Sequence, residues 1–372
     1  MSLQYLIDHS GISGELKAIA GKIMVGERLN PKEGLTLYHS NNLSYLGILA
    51  TYRKRQASGD KVYFNRNFHI EPTNICLYNC KFCSYRRNPG EAGVWDYSMD
   101  EMLDIARSYT DKGITEVHIV GGVHPQHDLH FFGELVREIK KILPQTHIKG
   151  FTAVELDYMI RKSGYTLDEG LQKLKDYGLD SIPGGGAEIF NEKIREQICG
   201  QKLSSQLWLD VHEAAHRLGI PSNATILYGH IETYEHRIDH LNRLRNLQDS
   251  TKGFNAFIPL KYKNANNSMH SIGEVSTLEV LKNFAVTRLF LDNVPHIKSY
   301  WPMLGKQTAQ LALAFGADDV DGTIDDTTKI YSMAGSEELS PNMDTNDMVN
   351  MIQSAGFTPI ERDSCYNELK VF

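Results

Sequence analysis

Three cysteines fall within eight residues, in the segment Glu71-Pro-Thr-Asn-Ile-Cys76-Leu-Tyr-Asn-Cys80-Lys-Phe82-Cys83-Ser-Tyr-Arg86. A C-x3-C-x2-C loop can wrap three thiolates around a compact inorganic core, and soft thiolates favour iron–sulfur clusters, copper(I) or zinc. A structural zinc site needs four ligands, and no fourth cysteine lies nearby. His69 could complete such a site, but a histidine at a strand end this close to the loop is readily explained by packing or a hydrogen bond. Three protein ligands on a four-iron cluster leave one iron open. The remaining cysteines, Cys199 and Cys365, are isolated and read as structural thiols. Five cysteines, an odd number with three clustered, do not fit a secreted disulfide framework.

Three further segments have types and spacings that suit ligand binding. Gly121-Gly122-Val-His124-Pro lets a backbone approach a ligand closely, with carbonyls free to accept from an ammonium. An ordinary strand-to-helix turn explains the same glycines. Pro183-Gly-Gly-Gly-Ala-Glu188 spends chain entropy on three consecutive glycines, so tight geometry or ligand access must offset it. Glu188 could bind hydroxyl groups or act as a carboxylate at the start of a helix over 189–198. Ile226-Leu-Tyr228-Gly229-His230-Ile-Glu232-Thr233 closes a strand, and Glu232 and Glu155 carry the same ambiguity as Glu188.

These segments need a scaffold that brings them together. Residues 1 to about 58 read as helical, with apolar residues at three- and four-residue spacings over Leu16–Met24 and Leu43–Arg53. After Gly59-Asp60, short β-type runs alternate with amphipathic stretches. The expected strands are Val62–Ile70, Glu116–Val120, His147–Phe151, Leu179–Ile182, Ser222–Leu227, Asn255–Leu260, Leu289–Leu291 and Asp318–Val320. Alternation of this kind implies parallel strands with right-handed crossovers, and eight repeats suit an α/β fold, a (β/α)8 TIM-type barrel with an N-terminal helical extension. A doubly wound open sheet is the alternative. The expected organisation is a helical extension over 1–58, the barrel over 59–335, and a C-terminal helix and tail over 336–372 packing on it. The polar and glycine-rich segments follow the strand ends, which in barrels form one face that carries the active site.

Bulk properties narrow the partners. The chain has 372 residues, 41% hydrophobic, with a formal charge of −7, so no general attraction to nucleic acid or anionic membrane is expected. The N-terminus lacks a secretory pattern, and no stretch approaches 18 apolar residues. A cytoplasmic protein is expected.

The cysteine spacing, with the aromatic Phe82 before the last cysteine, resembles the signature of the radical S-adenosylmethionine (SAM) superfamily. His69–Cys76, Lys81–Tyr85, Gly121–Pro125, Lys149–Glu155, Pro183–Phe190, Ser222–Thr233 and Leu291–Lys298 resemble one family within it more closely, the aminofutalosine (aminodeoxyfutalosine) synthases of menaquinone biosynthesis by the futalosine route. Cyclic dehypoxanthinyl futalosine synthases and deazaflavin-forming synthases share parts of the pattern. The resemblance implies a [4Fe-4S] cluster on Cys76, Cys80 and Cys83, and SAM consumed as a cosubstrate. It places Phe82, Gly121, Gly122, Glu155, Glu188, Tyr228 and Gly229 around that cosubstrate. It implies a small-molecule substrate, 3-[(1-carboxyvinyl)oxy]benzoate, whose enol ether takes the 5′-deoxyadenosyl radical. Rearrangement and decarboxylation then give 6-amino-6-deoxyfutalosine. An electron donor such as flavodoxin or ferredoxin is implied as well. Two substrate carboxylates call for basic or amide donors, and His296, Asn293, Lys298, Arg86 and His124 are the candidates, as residues expected to follow strands seven, one and two.

Overall fold

The scaffold begins with helices whose ends are fixed by side chains. In this computed structural model, which describes residues 4–5, 7, 11–323, 329–335 and 342–372, Ser13 caps the Gly14–Met24 helix. Asn30 and Glu33 form a reciprocal capping box on Pro31–His39, with Pro31 in the first turn, where no N–H is needed. The Leu43–Ser58 helix packs along the Thr277–Phe290 helix. A Cβ on Gly47 would stand 2.8 Å from the Phe315 ring, so only glycine allows the helix to approach that ring.

Strands β1 (Lys61–Asn65), β2 (Asn67–Ile70), β3 (Glu116–Ile119), β4 (His147–Gly150), β5 (Ser222–Tyr228), β6 (Phe254–Lys261), β7 (His296–Ile297) and β8 (Asp319–Gly322) follow, with helices between most of them. Every ladder among these eight is parallel. With β9 (Thr358–Arg362) and β10 (Glu368–Val371), the ladders divide into three sheets, ordered β10-β9-β1-β8, β2-β3-β4 and β5-β6-β7. Single-residue bridges link Lys149 to Ser181, Ile182 to Ser222 and Lys298 to Asp319. The α/β alternation is as expected, whereas one unbroken eight-stranded ladder is not formed.

Four features depart from the sequence expectations. The first strand breaks at Arg66 into β1 and β2, so its two halves pair with different neighbours. Leu179–Ile182 contributes bridges only. Leu289–Leu291 is no strand: Leu289 and Phe290 close the Thr277–Phe290 helix, Leu291 is its cap, and the seventh strand is His296–Ile297. That helix is buried from Val280 to Phe290 but for Lys282, so its last turns lack the polar face that marks a helix in sequence. Fourth, β9 (Thr358–Arg362) adds in parallel to β1 and β10 (Glu368–Val371) adds antiparallel to β9. The tail thus joins a sheet as well as contributing the expected helix, Thr345–Ser354. Residues 336–341 of the expected C-terminal segment lie outside the described residues. Among the described residues no helix is long and apolar enough to cross a membrane.

Candidate active site

The loop after β2 carries the three cysteines to the edge of a cavity of about 290 Å³. Phe82 and Cys83 border that cavity, while Cys80 and Cys83 border a second hollow on the other side of the loop. All three thiols are free of disulfides. The Cys76 Sγ accepts the Val123 amide N–H at 3.3 Å, and the Leu77 amide donates to the Val123 carbonyl at 3.0 Å. These bonds tie the cysteine loop to the Gly121-Gly122 turn after β3. The turn needs glycine: a Cβ on Gly122 would stand 2.2 Å from the Ile75 carbonyl oxygen. Burial pushes the Cys80 thiol up to about 12, so a metal or cluster must displace its proton. Three thiols on one loop, an amide aimed at sulfur and a neighbouring ammonium suit an anionic iron–sulfur cluster with one iron left open.

That ammonium belongs to Lys202. Its Nζ lies 5.2 Å from the Phe82 ring centroid and donates to Glu188 Oε1 at 2.5 Å. Burial works against its charge, but Cys80, Glu188 and Cys199 hold its pKa well above the usual lysine value. Glu188 borders the cavity at φ 47°, in the left-handed region. Of the five other non-glycine residues at positive φ among the described residues, Phe151 at 63° directly follows β4 and Asp321 at 71° lies near the end of β8. Backbone held in this region tends to cluster at functional sites. Gly184, Gly185 and Gly186 line the cavity and are packed from behind: a Cβ would stand 2.7 Å from the Ala224 carbonyl carbon, 2.6 Å from Thr152 Cγ2 and 2.5 Å from Val154 Cγ2, respectively. Tight packing therefore accounts for the glycines, and the absence of side chains leaves room in the cavity.

The structure brings Phe82, Cys83, Gly121 and Glu188 together around the cavity, with Lys298 deeper in the wall. Gly122 sits one residue behind. Glu155 does not border the cavity. Its Oε1 accepts the Gly121 amide at 3.0 Å, and its Oε2 accepts the Thr152 amide and hydroxyl at 2.7 Å each. Glu155 therefore positions the Gly121 turn; burial raises its carboxyl to about 7 despite these bonds.

Six other candidates are corrected in position. Tyr228 and Gly229 lie off the cavity, because side chains alternate along β5: Asn223, Thr225 and Leu227 face in, and the Tyr228 ring faces Arg237, 5.1 Å from its centroid. Asn293 precedes β7 and His296 is its first residue, so neither follows that strand. They therefore lie at the amino-terminal end, where His296 Nδ1 meets Asp318 Oδ2 at 3.1 Å and Asn293 Nδ2 donates to the Arg245 carbonyl and Asp249 Oδ1, both at 2.8 Å. His124 faces away from the cavity. Its Nδ1 accepts the Gln126 amide at 3.2 Å, Nε2 faces Asp96 at 3.5 Å, and the ring stacks on His127 at 4.2 Å. Arg86 braces the cysteine loop from outside, donating from Nε to the Cys76 carbonyl at 3.1 Å, and it borders the second hollow.

The sequence reading missed Glu116, His118, Lys149, Lys202 and Asp321, all of which line the cavity. Four of them stand on strands, and Glu116-x-His118 and His147-x-Lys149 carry polar residues at the two-residue spacing of one strand face. Lys202 follows the Glu192–Cys199 helix and has no local signal.

Residues 70–244 match the family described as the radical SAM superfamily, and residues 251–371 match the CofH/MqnC C-terminal region. The chain is 42% identical over 358 residues to an aminodeoxyfutalosine synthase of Thermus thermophilus, covering 95% of this chain and 96% of that one. It is 39% identical over 373 residues to an aminodeoxyfutalosine synthase of Streptomyces coelicolor, covering 98% and 95%. Among solved structures, methylornithine synthase (PylB) superposes with a TM-score of 0.71 at 19% identity, covering 92% of this chain and 97% of that one, which is a likeness of fold.

Proposed function

Because this chain belongs to the radical SAM superfamily, in the group whose relatives include the aminodeoxyfutalosine synthases, we infer that its reaction is theirs: transfer of the 5′-deoxyadenosyl group of SAM to the enol ether of 3-[(1-carboxyvinyl)oxy]benzoate, with rearrangement and decarboxylation to 6-amino-6-deoxyfutalosine. The observation that carries this reading is the end-to-end match to two such synthases. When bound, a [4Fe-4S] cluster supplies the electron that cleaves SAM, and SAM supplies the radical and is consumed.

The chain's own residues divide the remaining work. Cys76, Cys80 and Cys83 would hold the cluster, and Lys202 and the Val123 amide offset its negative charge. Gly121 and Gly122 offer backbone to the methionine end of SAM, held in place by Glu155. Glu188, which borders the cavity, would take ribose hydroxyls, with Lys202 setting its orientation. Leu227, Ile258, Leu260 and Tyr300 make an apolar wall that excludes water from a reactive intermediate. In the same reading, the three sheets are arcs of one (β/α)8 wall whose described strands run from Lys61 to Gly322, the bridges at Ser181, Ile182 and Asp319 spanning the gaps. Residues 11–58 form a helical extension and 342–372 a tail packed on the barrel. The electron comes from a cytoplasmic donor of the flavodoxin or ferredoxin kind.

The test is turnover by anaerobically reconstituted, reduced enzyme with SAM and the enolpyruvyl benzoate, read by product mass. The expected product is an adenosyl adduct. Free 5′-deoxyadenosine as the sole adenosyl product rejects the reading and points to hydrogen abstraction, as in the cyclic dehypoxanthinyl futalosine synthases.

A further inference from the structure

Barrel interiors of this size are commonly filled by branched apolar side chains, but the floor of this cavity is ionic. Lys149 on β4 and Lys298 just after β7 are 6% and 2% exposed, and both border the cavity. Lys149 Nζ donates to Glu116 Oε2 at 2.6 Å, and Lys298 Nζ donates to Asp321 Oδ1. Asp319 is 4.0 Å from Lys298, beyond hydrogen-bond reach. An ammonium carries three donors, and among the described residues each of these two lysines has one hydrogen-bonded acceptor. Burying unspent donors is costly unless a ligand uses them.

A third group faces the same space. His69, His118 and Lys149 pair side by side on β2, β3 and β4 and so share one face. The His69 and His118 rings meet edge to face at 4.7 Å. His118 Nε2 is buried without a hydrogen-bond partner, and the residue borders the cavity. Ile258 and Leu260 on β6 supply apolar surface in the same cavity.

We propose that Lys149, Lys298 and His118 form a seat for one carboxylate of an aromatic dicarboxylate substrate, with the ring lying against Ile258 and Leu260. The proposal rests on the aminodeoxyfutalosine synthase reading for the substrate class and adds which residues grip it. Glu116 and Asp321 hold the two lysines in place and compete with the substrate for their protons. Removing the competitor should therefore tighten binding, a sign that a merely structural ion pair does not give.

The experiment is calorimetric titration of anaerobic holoenzyme with 3-(1-carboxyethoxy)benzoate, the saturated and unreactive form of the substrate. Lys298→Met and Lys149→Met are expected to weaken binding tenfold or more, with SAM affinity changed less than twofold. Asp321→Asn keeps a residue tolerant of the left-handed backbone and is expected to tighten binding severalfold. Unchanged affinity in both lysine variants overturns the seat, and so does weakened binding in Asp321→Asn. If a lysine variant does not fold, judged by its iron content and SAM binding, Asp321→Asn decides alone. Wild-type holoenzyme is assayed in parallel with the enolpyruvyl ether. Adenosyl adduct from the wild type with unaltered binding in the variants sinks the seat alone, whereas no adduct from the wild type sinks the functional reading.

Discussion

The two ends of the strand assembly bury carboxylates with cations for opposite purposes. At the amino-terminal end two buried arginines are each held by several partners. Arg288 donates to the Gly316 carbonyl at 2.7 Å, the Pro295 carbonyl at 3.1 Å and Asp318 Oδ1 at 2.6 Å. Arg362 Nε donates to Asp319 Oδ2 at 2.7 Å, Nη1 donates to the Asp363 carbonyl, and the guanidinium lies 4.1 Å from the Tyr366 ring centroid. Along the cavity the buried cations are lysines, point charges on flexible stems with donors to spare. A planar fork suits a lock and an ammonium suits a socket. The composition of a polar cluster therefore says less than the number of its hydrogen-bonding groups left unspent.

The contrast is sharpest at the cysteines. Replacing Cys76, Cys80 or Cys83 with alanine should abolish SAM cleavage, since each supplies a cluster ligand. Cys199 lies close enough to Cys80 to affect its thiol, yet it sits on the Glu192–Cys199 helix, outside the loop. Cys199→Ala should keep its iron and its turnover. Iron and sulfide content with a 5′-deoxyadenosine assay checks both. Turnover surviving in any of the first three variants breaks the division between socket and scaffold.

At the locked end the expected loss is of stability. Arg362→Met leaves Asp319 buried without its partner, which should cost about 3–5 kcal/mol. The fraction that remains folded should cleave SAM at the wild-type rate. Urea unfolding and activity per iron separate the two effects, and a rate loss in correctly folded enzyme would place Arg362 in the site.

The carboxylates show the same polarity in pH. Burial alone would raise the Asp318 carboxyl, but Arg288 and His296 bring it down to about 2. Its stabilising contribution is present above the unfolded value of 3.8 and is lost as pH falls through 2. Glu71, buried beside the cysteine loop with Oε1 unpartnered, is raised by burial to about 8 despite the Lys329 amide that donates to Oε2. Its contribution is complete below the unfolded value of 4.5 and is lost as pH rises through 8. Wild type should therefore lose up to about 4 kcal/mol between pH 5 and pH 8 relative to Glu71→Gln. Denaturation midpoints at the two pH values test this, and a constant difference between the proteins would show that Glu71 is not held protonated.

The sequence made the rim legible and left the floor hidden, for physical reasons. Cysteine spacing and consecutive glycines are local signals, and both mark loops that meet at the cavity. Glu116, His118 and Lys149 stand on strands, where a polar residue reads as solvent-facing until it is known that the inner face is polar too. Lys298 was found only because it follows Pro295-His296-Ile297, and the same reasoning misplaced His296 and Asn293. A buried helix end read as the seventh strand moved the expected loop from one end of the assembly to the other. The C-terminal hairpin escaped notice because β9 depends on pairing with β1, a long-range contact.

His296 gives the smallest and most direct test of that last correction. Its ring stacks on Tyr366 with centroids 3.7 Å apart and meets Tyr63 edge to face at 5.1 Å, while Nδ1 faces Asp318 at 3.1 Å. Every contact is with the locked end. In His296→Gln an amide can keep a hydrogen bond to Asp318, while the stacked ring pair, worth about 0.5–1.5 kcal/mol, is lost. Stability should fall by about 1 kcal/mol, and kcat and KM for the enolpyruvyl benzoate should stay within about twofold. A tenfold rise in KM with stability unchanged would mean that a substrate carboxylate reaches this end, and that the locked end opens during turnover.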